Sequence, residues 1–216
     1  MKINRKVLIL SSLIILLPVA VGIIYWTKLP DTMATHFDFT GRANGFNSKL
    51  FTVFGLPLLL LGTHLFVVYF TSYDPKAKNI SSKPALLIYW IVPLTSLFVM
   101  AAVYSSSLGF LINPMLLSGL LLGGLALGIG NYMPKIRQNY SIGIRLPWTL
   151  DDEENWNKTH RLAGKIWVIC GFIIFTESFL QLFFPYILTA ALAVMILVPT
   201  VYSFRLNRLK VNNEND

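Results

Sequence analysis

Six apolar runs of about twenty residues divide this 216-residue chain, and no other feature constrains its fold as strongly. They lie at 7–26, 51–72, 84–105, 108–132, 163–183 and 186–204. Each is long enough to cross the hydrocarbon of a bilayer as a helix, which satisfies its backbone hydrogen bonds within the segment. Composition agrees with that reading. Hydrophobic residues make up 55% and charged residues 13%, where a soluble globular chain is about one quarter charged. So little charge cannot solvate a globule of this size, and so many large apolar residues exclude a disordered chain. The expected fold is all-α: a polytopic integral membrane protein with six transmembrane helices. The one cysteine, Cys170, excludes a disulfide framework or a Cys-rich zinc site within the chain.

Lys2, Arg5 and Lys6 precede the first run in the manner of a secretory signal. The run is too long for one, however, and no small-x-small cleavage site follows Tyr25-Trp26, so an uncleaved anchor is expected. Of the 18 Lys and Arg, all but Lys28, Arg42 and Lys49 fall on one side of the six-span arrangement. By the positive-inside rule both termini are then cytoplasmic. The net charge of +8 is accounted for by topology and anionic headgroups, with no direct nucleic-acid partner expected.

Two connections are longer than mere connectors need to be, 27–50 outside and 133–162 in the cytoplasm. In the cytoplasmic one, Thr149 with Asp152 three residues on resembles a capping box. The acids from Asp151 to Glu154 suit a helix N-terminus, and Glu154 and Lys158 are spaced i, i+4. Trp148 and Trp156 suit the headgroup level. Two readings stay open: a short interfacial helix leading into the fifth span, or a surface on which a partner docks. Consecutive carboxylates point to different helix faces, so they read as a cap and a solvated face and not as a metal or acid–base site. In the outer connection, Gly41 and Asn44-Gly45 supply turn positions, and residues from His36 to Phe39 read as an extended segment before the turn. His36 and Asp38 offer two metal donors at most, too few for a metal centre. A small ordered cap over the helix ends is expected.

Within the spans, Glu177 and His64 are the costly residues, and an intramembrane ionisable group is a functional candidate. Glu177 and Gln181 share a helix face, near the outer end of their span. His64 lies deeper by roughly 10 Å, counting 1.5 Å per residue, so a direct pair is not expected. Gly119, Gly123, Gly124 and Gly128 form small-xxx-small pairs on the fourth span, a close-packing signature. Pro18, Pro57 and Pro93 interrupt their helices. No nucleophile–base pair, phosphate loop or zinc constellation is legible, so neither an enzyme nor a cofactor is expected.

The stretch Ile142-Gly-Ile-Arg-Leu-Pro-Trp-Thr-Leu-Asp-Asp-Glu-Glu-Asn-Trp, preceded by Gly130-Asn-Tyr-Met-Pro, closely resembles the G-(I/L)-R-x-P-W-T-L signature of the SdpI family of bacterial membrane proteins. Leu29-Pro30, Thr35-His36-Phe37, Gly41 and Ser48-Lys49 resemble the DUF1648 segment often found N-terminal to it. On this resemblance the chain divides into a DUF1648-like segment at 1–83, an SdpI-like region at 84–210 and a polar tail at 211–216. The resemblance implies a multi-pass protein of the bacterial plasma membrane. It further implies immunity to a secreted antimicrobial peptide, and signalling by holding a small winged-helix repressor at the membrane. Arg145, Pro147, Trp148, Thr149 and Trp156 would then form the cytoplasmic docking surface. His36, Phe37, Phe39, Glu177 and Gln181 would meet the ligand outside. A small-solute or proton-coupled transporter is the competing reading, motivated by Glu177, His64 and the kinked helices. The resemblance carries no catalytic residues.

Overall fold

The computed structural model describes residues 1–38, 40–110 and 112–215. Its six long apolar helices are α1 (Arg5–Ile24), α2 (Leu56–Ser72), α3 (Ser82–Ser107), α4 (Pro114–Tyr132), α6 (Glu153–Leu180) and α7 (Phe184–Asn215). A π-helical turn, Phe51–Gly55, leads into α2, and a five-residue helix, α5 (Pro147–Asp151), precedes α6. The connection after α1 folds as an antiparallel hairpin of β1 (Thr32–Phe37) and β2 (Ala43–Ser48). The all-α membrane fold therefore stands, with one small β-element at a helix end.

Three boundaries differ by more than five residues from those expected, and for the first two the capping explains it. The fourth helix starts at Pro114 and not at 108. α3 closes on Gly109 in the left-handed conformation (φ 73°), and the Asn113 side chain accepts the Met115 N–H to cap α4. The fifth starts at Glu153, ten residues early, because the Asp152 carboxylate accepts the N–H groups of Glu154 (2.8 Å) and Asn155 (3.2 Å). The sixth does not stop at 204 but continues as helix to Asn215.

Packing groups the helices three and three. α1, α2 and α3 form one unit, α4, α6 and α7 the other, and the two meet chiefly along α3 and α4. In the first unit Pro18 lacks the N–H that would extend the ladder, and two α1 carbonyls around it also accept from α3 side chains. Ser96 donates to the Ile15 carbonyl at 3.1 Å and Tyr104 to that of Pro18 at 2.8 Å. In the second unit, glycines bring α4 and α6 almost into backbone contact. A Cβ on Gly123 would lie 2.7 Å from the Phe175 nitrogen, and one on Gly164 2.8 Å from the Gly130 carbonyl. The predicted glycine face is thus only half used for packing. Gly119 and Gly123 meet neighbouring helices, whereas a Cβ on Gly124 or Gly128 would meet nothing within 4 Å.

Candidate functional site

Met1, the Lys210 end of α7, the 73–81 turn and the 136–152 loop lie at one end of the bundle, and the hairpin lies at the other. At the first end a buried polar framework holds the loop. Asn155, Trp156, Thr159, His160 and Ala163 recur at helical spacing on α6 and are all buried. Trp156 stacks on His160 with ring centroids 4.1 Å apart, and its Nε1 donates to the Ile136 carbonyl at 2.7 Å. His160 Nδ1 lies 2.8 Å from the Trp156 carbonyl, and its Nε2 lies 3.0 Å from the Ile144 nitrogen. A carbonyl only accepts and an amide N–H only donates, so these partners select the Nδ1–H tautomer.

The loop crosses this pair at Gly143, whose φ of 110° suits glycine. A Cβ there would fall 2.5 Å from His160 Nε2. Pro147 then opens α5 at a position where its missing N–H costs nothing. Thr149 Oγ1 accepts the Leu146 N–H at 2.9 Å and lies 2.8 Å from the Ile144 carbonyl. Asn139 closes the preceding turn by accepting the N–H groups of Ser141 and Ile142. Asp74 ties the two units together: its buried carboxylate accepts from the Tyr140 N–H at 2.9 Å and from the Ser141 hydroxyl. Beside it, Asn79 donates to the Gln138 carbonyl, and Lys76 to the Gln138 side chain, both at 2.7 Å.

Two sequence expectations are corrected at this end. Thr149 and Trp156 are fully buried and offer a partner no surface; they shape the loop from within. Nor does Thr149 cap the following helix, a role that falls to Asp152. Burial opposes the charge of Asp152. The Asn155 N–H, the Lys210 ammonium at 3.1 Å and the Glu154 N–H outweigh it and hold the carboxyl below its ordinary value. The outward features are Arg145, whose Nη1 donates to the Tyr140 carbonyl at 2.7 Å, Pro147, and the half-buried Trp148. Trp148 Nε1 donates to Ser203 Oγ at 3.0 Å, and its ring meets Phe204 edge-on.

At the hairpin end, Asp38 accepts from the Thr40 hydroxyl and from the N–H groups of Arg42 and Thr40, which together lower its pKa. His36 Nδ1 donates across the hairpin to the Asn44 side chain, and Phe37 faces α3 and α4 across a small cavity. Phe39 lies outside the described residues. Glu177 is buried, and its carboxylate accepts the Phe183 N–H at the α6–α7 turn, where Gln181 is left-handed (φ 52°). Gln181 accepts from Asn113 Nδ2 at 2.7 Å. A Cβ on Gly41 of the hairpin turn would sit 3.2 Å from Asn113 Oδ1. Asn113 thus stands between the hairpin turn and the Glu177–Gln181 corner. His64 is elsewhere: in the first unit, its Nε2 lies 2.8 Å from the buried Ser11 hydroxyl.

Asp74, Asn113, Gln138, Asn139 and His160 escaped the sequence reading of function. For His160 a signal existed, the helical spacing of the α6 stripe. For Asp74 it was weaker, a single carboxylate in a turn otherwise supplied with lysines. Among the described residues no group of three or more His, Cys, Asp or Glu is placed to hold a metal.

Residues 135–203 match the SdpI/YfhL protein family, and residues 13–61 match DUF1648, a domain of unknown function. The chain is similar to the immunity protein SdpI of Bacillus subtilis (strain 168), with 31% identity over 209 residues, covering 92% of this chain and 97% of that protein. No solved structure matches.

Proposed function

The chain belongs to the SdpI/YfhL protein family, and from that premise we propose that it is a non-enzymatic immunity protein of the bacterial plasma membrane. In this reading it protects the cell that carries it from a secreted toxic peptide, met at the hairpin end. The ends carrying the termini face the cytoplasm, as the distribution of basic residues favours. Capture of the peptide is relayed to the 136–152 loop, which holds a small repressor through Arg145, Pro147 and Trp148.

One observation carries the relay. α6 is a single helix with Glu177 near one end and Trp156 and His160 near the other. Twenty-one residues separate Glu177 from Trp156, about 30 Å at 1.5 Å per residue. A shift of the Glu177–Gln181 corner therefore reaches the loop framework without passing through a flexible joint.

Survival of a sensitive bacterial strain under challenge with the relative's killing peptide tests the protective role. Cells expressing this chain should outlive the empty-vector control; equal killing would overturn the reading. Orientation is tested separately by an impermeant thiol reagent in a Cys170→Ala background. Ala43→Cys should label on intact cells, and Asn157→Cys only after the membrane is opened.

A further inference from the structure

The seam between the two helical units is unfilled along much of its length. Against the hairpin it holds a cavity of about 180 Å³, at mid-height one of about 420 Å³, and at the terminal end one of about 310 Å³. Phe98 and Leu121 border the first two, and Leu87 and Ile91 the second and third, so each cavity shares a wall with the next along the seam. The middle cavity is where Gly124 and Gly128 face open space. Its rim residues Leu86 and Leu94 are 44% and 40% exposed, which in a membrane means exposed to lipid. The bilayer core supplies no water to fill an apolar cleft, and its acyl chains are the ready occupant.

The terminal end of the seam adds charge. Pro84, Met133 and Ile136 line the lowest cavity, and Lys83, Lys135 and Arg137 adjoin them in sequence. All three basic residues are exposed, and none is in an ion pair with a described carboxylate. Basic residues around an interhelical cleft are the recognition chemistry for anionic lipid headgroups. We propose that the seam is a binding site for one anionic phospholipid, its acyl chain between α3 and α4 and its phosphate among Lys83, Lys135 and Arg137.

The site has a consequence for the loop. Ile142, Gly143 and Ile144 form part of the wall of the lowest cavity. Gly143 rests on the Trp156–His160 pair, and the Ile144 N–H ends on His160. An acyl chain in the cavity supports this segment on its open side, so the lipid sets how firmly the loop is held. None of this depends on the immunity role.

The test uses the purified full-length protein, titrated with phosphatidylglycerol or phosphatidylcholine of identical chains and read by native mass spectrometry. The wild type should hold one phosphatidylglycerol at concentrations where phosphatidylcholine does not bind. The double variant Gly124→Leu/Gly128→Leu, whose new side chains enter open space, should fold and lose that lipid. Lys135→Gln should bind it about five-fold more weakly, the order expected of one basic residue near a bilayer surface. Hydrogen exchange at 142–144 should slow on adding phosphatidylglycerol to the wild type and stay unchanged in the filled variant. Equal binding of the two lipids, or undiminished phosphatidylglycerol binding in the filled variant, would overturn the proposal. So would occupation of the seam by an apolar peptide helix with phosphatidylglycerol still bound.

Discussion

His160 Nε2 accepts the backbone N–H of Ile144 across 3.0 Å, and this bond fastens the 136–152 loop to the start of α6. The ring is held in turn by the Trp156 carbonyl and the Trp156 indole face. The loop residue that lies against this ring, Gly143, has no room for a side chain. The loop thus has one seat, and its shape depends on groups that are not on its surface.

Removing the acceptor should loosen that seat. In His160→Ala the half-buried Ile144 N–H is left without its partner, a loss of about 1 kcal/mol or more. Amide exchange at Ile144 should accelerate roughly ten- to hundred-fold, while exchange within α4 stays unchanged. Gly143→Ala should act in the same direction, since a left-handed non-glycine residue costs about 1–3 kcal/mol before any clash with the ring. Wild-type exchange at Ile144 in both variants would show that the bond does not hold the loop.

Trp148 and Trp156 should behave differently although they belong to the same motif. Trp156→Ala removes a fully buried indole, a change that costs about 3–5 kcal/mol in a packed core. It should reduce the yield and the melting temperature of the detergent-solubilised protein. Trp148→Ala loses one hydrogen bond to Ser203 at the half-exposed edge and should melt within a few degrees of the wild type. If the docking role applies, Trp148→Ala and Arg145→Ala should weaken repressor capture in a co-purification assay. Similar melting losses in both Trp variants would contradict the burial difference.

Glu177 offers a way to separate charge from hydrogen bonding. Glu177→Gln keeps a side-chain carbonyl to accept the Phe183 N–H, and its melting temperature should stay near that of the wild type. Glu177→Leu strands that N–H and should destabilise the α6–α7 corner by about 1–3 kcal/mol. If the charge itself serves ligand capture, Glu177→Gln should fold normally and yet fail in the survival assay. Equal destabilisation by Gln and Leu would show that the carboxylate's charge is structural.

Asp152 should give the acid limb of the stability curve a recognisable signature. Its pKa in the folded protein lies below the ordinary value of 3.8. The contribution is therefore complete above that value and is lost as pH falls through the lower folded one. Asn caps a helix about as well as Asp but does not titrate in this range. Asp152→Asn should match the wild type closely at neutral pH, apart from the exposed Lys210 pair, and lose less stability below about pH 4. Parallel acid limbs for the two proteins would refute this assignment.

The six spans were legible in the sequence for a physical reason: a helix in lipid satisfies its backbone alone, so its length and apolarity are written locally. The hairpin turn at Gly41, the polar cost of Glu177 and the loop motif were legible on the same terms. What faces what was not. Trp148 and Trp156 are both indoles that suit an interface, and only the packing of α7 and the loop against α6 leaves one at the edge and buries the other. Gly123 and Gly124 are neighbours in a run of small residues, yet the first meets the Phe175 backbone and the second faces the open seam. Asp74 reaches Tyr140 and Ser141 across more than sixty positions of chain, a pairing for which no local pattern exists. Local hydrogen bonding and hydrophobic length determined which segments are helices. The partners of each helix face were decided by contacts between residues far apart in the chain, and these exist only once the two helical units have come together.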